Sequence, residues 1–333
     1  MAIDVDIPDL PAALRALIAQ IPPGRVTTSG ALAAALGSEC ATRWVGGYVL
    51  DPLVAAMLPV HRIVRSSGEL GLYYTGDTAD KRHRLQSEEI QVEKDRIELS
   101  QWFFDDFQSS QPLRALSGLQ NEYTKRLQLT RPAAPPRTVG GVDLSYITEE
   151  RAVAGYALID VATCKLLWST TVTAAVAFPY IPTFLSFREL PLLLRLLDQV
   201  RREDRMPDLV FVDGNGVMHD RRMGIASMLG IAADIATVGI SKKLLCGQVE
   251  TDGMAHREAR PVEDGDEVLG MALKSRISSK LIYVSPGHRI DFASALDITQ
   301  SLLAGHRLPE PTHWADKLSR DEVRSIAAAE QIQ

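Results

Sequence analysis

Thr138-Val-Gly-Gly-Val-Asp-Leu-Ser-Tyr146 follows a proline-rich break, Arg131-Pro-Ala-Ala-Pro-Pro-Arg137, and opens a β-rich stretch. Val139, Val142 and Leu144 read as a buried strand, interrupted by Asp143. A carboxylate inside such a strand is costly to bury unless it is paired or bound to a cation. On these residues alone Asp143 is equally a turn cap or a ligand. The rest of the chain decides between the two.

Downstream, residues 152–160 and 166–173 are apolar and β-branched runs bounded by turn residues or charges, which predicts an antiparallel meander with Asp143 on its first strand. Residues 184–200 have helical spacing. Residues 208–213 form a buried strand that ends in Asp213 and a glycine turn. A helix over 222–229, strands over 235–240 and 281–284, and a helix over 291–304 follow. Strands alternating with helices after a meander indicate a mixed α/β sheet. Asp143, Asp213 and Glu189, the last in the first turns of a helix, can converge on one point. Hard cations such as Mg²⁺ take such oxygen ligands and orient water for attack on a phosphodiester. Lys242 is placed to neutralise developing phosphorane charge, and His288 to transfer a proton.

Upstream, residues 11–21 carry Leu14, Leu17, Ile18 and Ile21 on one helical face, and Pro22-Pro23-Gly24 stops the helix. Thr28 or Ser29 caps a second short helix over 30–36, and a third spans 41–50. Two short helices joined by a turn are the pattern of a helix-turn-helix. Between the halves, 97–107 is an aromatic and acidic stretch, and 113–129 an amphipathic helix.

Composition sets the limits. The chain has 333 residues, enough for two domains, and its 46% hydrophobic and 23% charged content is that of a globular protein. It has no uncharged apolar run of about 18 residues, so no membrane partner is expected. The acidic start lacks the order of a signal peptide. Cys40, Cys164 and Cys246 are scattered and odd in number, which fits a reducing cytoplasm. A formal charge of −6 counts against a nucleic-acid partner. The local cluster Arg25, Arg43, Arg62 and Arg65 matters more than that sum.

Two sets of motifs are specific. Ile21-Pro-Pro-Gly-Arg-Val-Thr-Thr28, Arg43-Trp-Val-Gly-Gly47 and Leu58-Pro-Val-His-Arg-Ile-Val-Arg-Ser-Ser-Gly-Glu-Leu-Gly71 resemble the DNA-binding domain of the O6-alkylguanine-DNA alkyltransferases. Val60 stands where that family has its reactive cysteine. Valine has no nucleophile, so covalent alkyl transfer is excluded, and the resemblance is to the alkyltransferase-like proteins that bind alkylated guanine without repairing it. It implies that Arg43 fills the gap left by a flipped nucleotide, and that Gly46 and Gly47 permit close approach to the minor groove. It leaves His61 and Glu88 as remnants of cysteine activation. Ser29 departs from the family's tyrosine.

Gly141-Val-Asp-Leu-Ser-Tyr146, Pro179-Tyr-Ile-Pro-Thr-Phe-Leu-Ser-Phe-Arg-Glu189, Asp208-Leu-Val-Phe-Val-Asp-Gly214, Val238-Gly-Ile-Ser-Lys-Lys-Leu-Leu-Cys-Gly247, Pro286-Gly-His-Arg-Ile290 and Arg307-Leu-Pro-Glu-Pro-Thr-His-Trp-Ala-Asp316 look like endonuclease V, in family order. That resemblance implies an RNase H-like α/β domain beside the small, helical, winged helix-turn-helix-like N-terminal one. It also implies Mg²⁺ (or Mn²⁺) and hydrolysis 3′ of a deaminated purine, chiefly hypoxanthine. Asp143, Glu189 and Asp213 fall on the family's metal-binding carboxylates, Lys242 and His288 on its lysine and histidine, and Pro179, Tyr180, Ile181 and Pro182 on its strand-separating wedge. Asn215, Thr183 and Asp220 depart from the family's histidine, glycine and proline. The domains expected are 1–95 (alkyltransferase-like), 96–111 (linker) and 112–333 (nuclease). The partner expected is damaged DNA carrying deoxyinosine or O6-alkylguanine. A non-catalytic lesion sensor and an inosine-specific ribonuclease acting on RNA are the competing readings.

Overall fold

The computed structural model describes residues 6–330 and divides the chain into two units. The smaller contains Ile7–Gly118 together with Phe178–Pro182; the larger contains Leu119–Ala177 and the chain from Thr183 onward.

The smaller unit is built from short helices. These are α1 (Leu10–Ile18), α2 (Ser29–Ala35), α3 (Thr42–Tyr48), α4 (Pro52–Met57), α5 (Thr78–Ser87) and α6 (Leu99–Trp102), with two strands, β1 (Thr27–Thr28) and β2 (Ile63–Val64), paired in parallel. Local chemistry sets the helix starts. The Asp9 carboxylate accepts from the Ala12 amide at 2.8 Å, and the Thr28 hydroxyl accepts from the Ala31 amide at 3.1 Å, each satisfying an orphan donor of a first turn. Leu10, Leu14, Leu17 and Ile18 are buried along one face of α1, as their spacing requires. Val26, Val64, Leu70, Leu85, Ile90 and Ile97 form a core that ties β1 and β2 to α5 and the segments after it.

Helix α7 (Pro112–Thr124) crosses the division between the units. The larger unit then runs β3 (Thr138–Thr148), β4 (Arg151–Asp160), β5 (Lys165–Ala175), α8 (Leu185–Arg202), β6 (Leu209–Asp213), α9 (Ile225–Ala233), β7 (Thr237–Ser241), β8 (Ala259–Asp264), β9 (Glu267–Leu273), β10 (Ile282–His288), α10 (Phe292–Ser301) and α11 (Glu310–Glu330). Its sheet has the order β5-β4-β3-β6-β7-β10-β9-β8. The meander β3-β4-β5 is antiparallel, β6 and β7 run parallel to β3, and β10-β9-β8 are again antiparallel. Leu209 and Phe211, with Val238 and Ile240, alternate onto the face covered by α10 and α11, while α8 and α9 cover the other.

Two glycines let α11 lie directly on the meander. A Cβ at Gly141 on β3 would stand 1.9 Å from the Pro311 carbonyl oxygen, and one at Gly155 on β4 would stand 2.6 Å from that of Ala315. The backbone of the helix therefore occupies space that any other residue would fill.

The hairpin β8-β9 and helix α11 are absent from the elements read in the sequence. The hairpin turns through Gly265-Asp266, between the paired Asp264 and Glu267, with Gly265 at φ +63°, and glycine at the first position of a two-residue loop is a short-range signal for such a turn. Helix α9 begins three residues later than its apolar spacing suggests, because Arg222 is at φ +54°. No helix among the described residues is long and apolar enough to cross a membrane.

Candidate functional site

Strand register decides which acids meet. Val142 pairs with Val212 and Asp213 with Ile240, so Asp143, in the middle of β3, stands beside Asp213, the last residue of β6. Asp143 shares a face with Gly141, two residues earlier, and that face carries α11. The close approach at Gly141 and Gly155 therefore delivers Asp316, on α11, to the same place. One oxygen from each of Asp143, Asp213 and Asp316 lies within 4.8 Å of the others. Lys242 follows β7, and its ammonium donates to Asp213 and, at 2.9 Å, to Asp316 Oδ1. Arg307 fixes the turn behind it by donating to the Lys242 and Leu281 carbonyls at 2.9 and 2.6 Å. Arg320 donates to Asp316 at 2.7 Å, and the Ser319 hydroxyl to Asp143 Oδ2 at 3.2 Å.

The electrostatics are those of a cation site. Burial pushes the Asp143 carboxyl well above the usual carboxylate range, the neighbouring Asp213 charge adds to this, and the Lys242 ammonium opposes it. Burial lowers the Lys242 ammonium's affinity for its proton, but the charges and hydrogen bonds of Asp213 and Asp316 overcome this and raise it. Glu189 is buried on α8 and raised to about 7, first by desolvation and then by Asp213, against a hydrogen bond from Tyr146. A set of hard oxygen donors drawn from three separate elements, short of one positive charge or more, suits a divalent cation.

Of the residues singled out in the sequence, the structure brings Asp143, Asp213 and Lys242 together and sets Glu189 within electrostatic reach of Asp213. His288 does not join them, against the expectation of proton transfer there. It pairs with Thr237 at the start of β7, whereas Asp213 pairs with Ile240. Three residue steps place it about 10 Å away along the strand. A bulge between Pro286 and His288 also turns it toward Gly230 on α9. There its Nδ1 accepts from the Gln128 amide at 3.4 Å. Asp316 was missed because an acid on a helix reads as a solvated charge. The signal for it was present, in small Ala315 and Ser319 one turn apart facing Gly155.

Around the wedge, Tyr180 is 62% exposed while Ile181 is fully buried. Thr183 has φ +66°, a conformation unfavourable for a β-branched residue, which explains why glycine suits this place. A polar clamp imposes it. Arg221 donates to the Thr183 carbonyl and hydroxyl at 2.6 and 2.9 Å, and His219 Nε2 pairs with that carbonyl at 3.0 Å. Burial holds His219 down at about 4, so it stays neutral and its Nε2 is the donor.

In the smaller unit Arg43 is exposed on α3, Gly47 has open space where a Cβ would stand, and Val60 is buried. Gly46 belongs to a cleft of about 530 Å³ lined also by Thr28, Ser29, Ile63, Arg65 and Lys81. Glu88 accepts two hydrogen bonds from the Arg62 guanidinium at 2.7 and 2.9 Å, faces His61 Nε2 at 2.8 Å, and accepts from the Gly24 amide at 3.1 Å. Burial raises the Glu88 carboxyl, yet these donors outweigh it and hold the group at about 2. His61, Arg62 and Glu88 thus form a structural knot between the Pro22-Pro23-Gly24 turn and the segment of Val60.

A mixed sheet that sets carboxylates side by side on adjacent strands, flanked by helices, defines an α/β nuclease fold. Residues 121–317 match the family model of endonuclease V, and residues 11–90 match that of the DNA-binding domain of 6-O-methylguanine DNA methyltransferase. Endonuclease V of Xylella fastidiosa (strain 9a5c) is 40% identical over 214 residues, covering 63% of this chain and 88% of the relative. That of Rippkaea orientalis is 35% identical, covering 66% and 95%. The solved catalytic domain of human endonuclease V superposes with a TM-score of 0.63 at 31% identity, over 66% of this chain and 99% of the other. Ciona intestinalis endonuclease V, solved in complex with a DNA containing an inosine followed by a ribo-adenosine, gives 0.57 at 26%, over 64% and 98%. The chain belongs to the endonuclease V family.

Proposed function

We propose that the chain is a DNA repair endonuclease that hydrolyses a phosphodiester 3′ of a deaminated purine, deoxyinosine, and carries a second, non-catalytic lesion-binding domain. The observation that carries this is the convergence of Asp143, Asp213 and Asp316 on one point beside Lys242. With Glu189, these residues would hold Mg²⁺, for which Mn²⁺ can substitute. The bound cation would polarise the phosphodiester and lower the pKa of an attacking water. Lys242, released from Asp213 and Asp316, then neutralises the charge that develops on the phosphorus oxygens. Tyr180, exposed between Pro179, Ile181 and Pro182, is suited to separate base pairs so that the damaged base can be read out of the stack. The larger domain, 112–333, takes an RNase H-like form in this reading. The Ciona complex with inosine-containing DNA supports the choice of lesion.

Residues 1–95, joined through 96–111, act in the same reading as a winged helix-turn-helix-like domain. Arg43 enters the space of a displaced nucleotide, Gly46 and Gly47 admit the minor groove, and the cleft beside α3 receives an O6-alkylguanine. Val60 in the wall of this domain supplies no nucleophile, so binding ends without alkyl transfer. The three unpaired cysteines support a cytoplasmic setting.

Duplexes carrying deoxyinosine, O6-methylguanine or neither, with matched RNA strands, test the proposal with Mg²⁺ and with EDTA. Metal-dependent nicking of the deoxyinosine duplex, lost in Asp143→Ala, is expected. Binding without nicking would favour a lesion sensor instead, and cleavage confined to the RNA strand a ribonuclease. Equal treatment of alkylated and plain duplexes, unchanged by Arg43→Ala, would remove the role of the first domain.

A further inference from the structure

Tyr146 lies three residues beyond Asp143 on β3, half-buried, and has no part in the roles assigned above. Its hydroxyl donates to Glu189 Oε1 at 2.9 Å and accepts from Arg188 Nε at 3.1 Å. The Arg188 guanidinium sits 4.6 Å from the centre of the Tyr146 ring. Its Nη2 donates to the Glu149 carbonyl at 2.6 Å, in the turn between β3 and β4. Arg188 and Glu189 are neighbours in the first turns of α8, and side chains one residue apart on a helix diverge by about 100°. Both nevertheless meet one phenol oxygen. That oxygen therefore fixes where the start of α8 stands against the strand that carries Asp143.

We infer that Tyr146 is a positioning residue for Glu189, engaging Oε1 so that Oε2 is the oxygen offered to a divalent cation. This rests on the metal-dependent reading above. A phenol that accepts from a guanidinium is polarised and donates more strongly, and partners that hydrogen-bond a ligating carboxylate set its orientation and basicity. A carboxylate with one oxygen committed binds a metal through the other, in a single geometry. Without the phenol hydroxyl, Glu189 rotates about its last torsion and meets the cation in several arrangements, each used for part of the time. The phenol ring alone, as in phenylalanine, keeps the packing and the stacking of Arg188 but not this choice of oxygen.

Mn²⁺ affinity of the full chain, read by the electron paramagnetic resonance signal of free Mn²⁺ during titration, tests the assignment on the wild type, Tyr146→Phe, Tyr156→Phe and Asp213→Ala. Tyr156 is the control for losing a buried hydroxyl. Its hydroxyl donates to the Arg205 carbonyl at 3.0 Å, and its ring lies against Gly140, on the face away from Asp143. The expected result is Mn²⁺ binding weakened about tenfold or more in Tyr146→Phe and unchanged in Tyr156→Phe, although both lower the melting temperature in EDTA. Wild-type affinity in Tyr146→Phe, or equal weakening in both tyrosine variants, overturns the positioning role alone. Mn²⁺ binding that Asp213→Ala leaves intact, or none in the wild type, overturns the metal reading and the inference with it.

Discussion

Replacing Glu189 by glutamine should make the metal-free protein more stable at pH 8 while destroying its response to metal. The carboxyl is raised from 4.5 to about 7, chiefly because burial disfavours its charged form. A carboxyl with a raised folded pKa binds more protons folded than unfolded between those two values. Its contribution to stability is therefore complete below the unfolded value and is lost as pH rises through the folded one. At about 1.4 kcal/mol per unit, roughly 3 kcal/mol opposes folding at pH 8 and under about 1 kcal/mol at pH 5. Glutamine does not titrate. It keeps an oxygen for Tyr146, but its amide N–H groups need acceptors, a cost of about 1–3 kcal/mol that is the same at both pH values. The quantity to measure is thus the difference between pH values, where that cost cancels. The advantage of Glu189→Gln over the wild type should be about 2–3 kcal/mol greater at pH 8 than at pH 5. Urea unfolding in EDTA measures it. A background with phenylalanine at Trp44 and Trp102 leaves Trp168 and Trp314 to report on the larger unit. An advantage that is the same at pH 5 and pH 8 would refute the claim that Glu189 is held ionised against burial.

Three further outcomes follow from the geometry. Asp316→Asn should reduce nicking of a deoxyinosine duplex ~100-fold or more and weaken Mn²⁺ binding. His288→Ala, distant from the carboxylates, should leave the rate per folded molecule near wild type in the same assay. Gly141→Ala places a Cβ 1.9 Å from the Pro311 carbonyl oxygen and should cost about 3 kcal/mol in urea unfolding. It should also slow nicking through displacement of Asp316, and a normal melting temperature would contradict the close approach of α11.

Much of the fold was legible because its signals are local. Leu10, Leu14, Leu17 and Ile18 repeat at the helical period, Thr28 caps α2, and the runs that became β4 and β6 are too apolar to be anything but buried strands. The hairpin β8-β9 was equally local in its Gly265-Asp266 turn. It was overlooked because Val262 and Val268 sit among charges that mask the alternation. Asp143 and Asp213 stood out as acids in apolar strands, where the energetic cost of burial demands a partner.

The residues of the chain therefore determined by themselves that apolar strands carry the acids Asp143 and Asp213, and that Val60 forbids alkyl transfer. Proximity was a different matter. Register sets Asp143 beside Asp213, two glycines admit the backbone of α11 and bring Asp316 down on them, and a single bulge turns His288 away. None of these is a property of a local pattern. Each depends on how far one element slides or rotates against another, and a shift of one residue along a strand moves a side chain to the opposite face of the sheet.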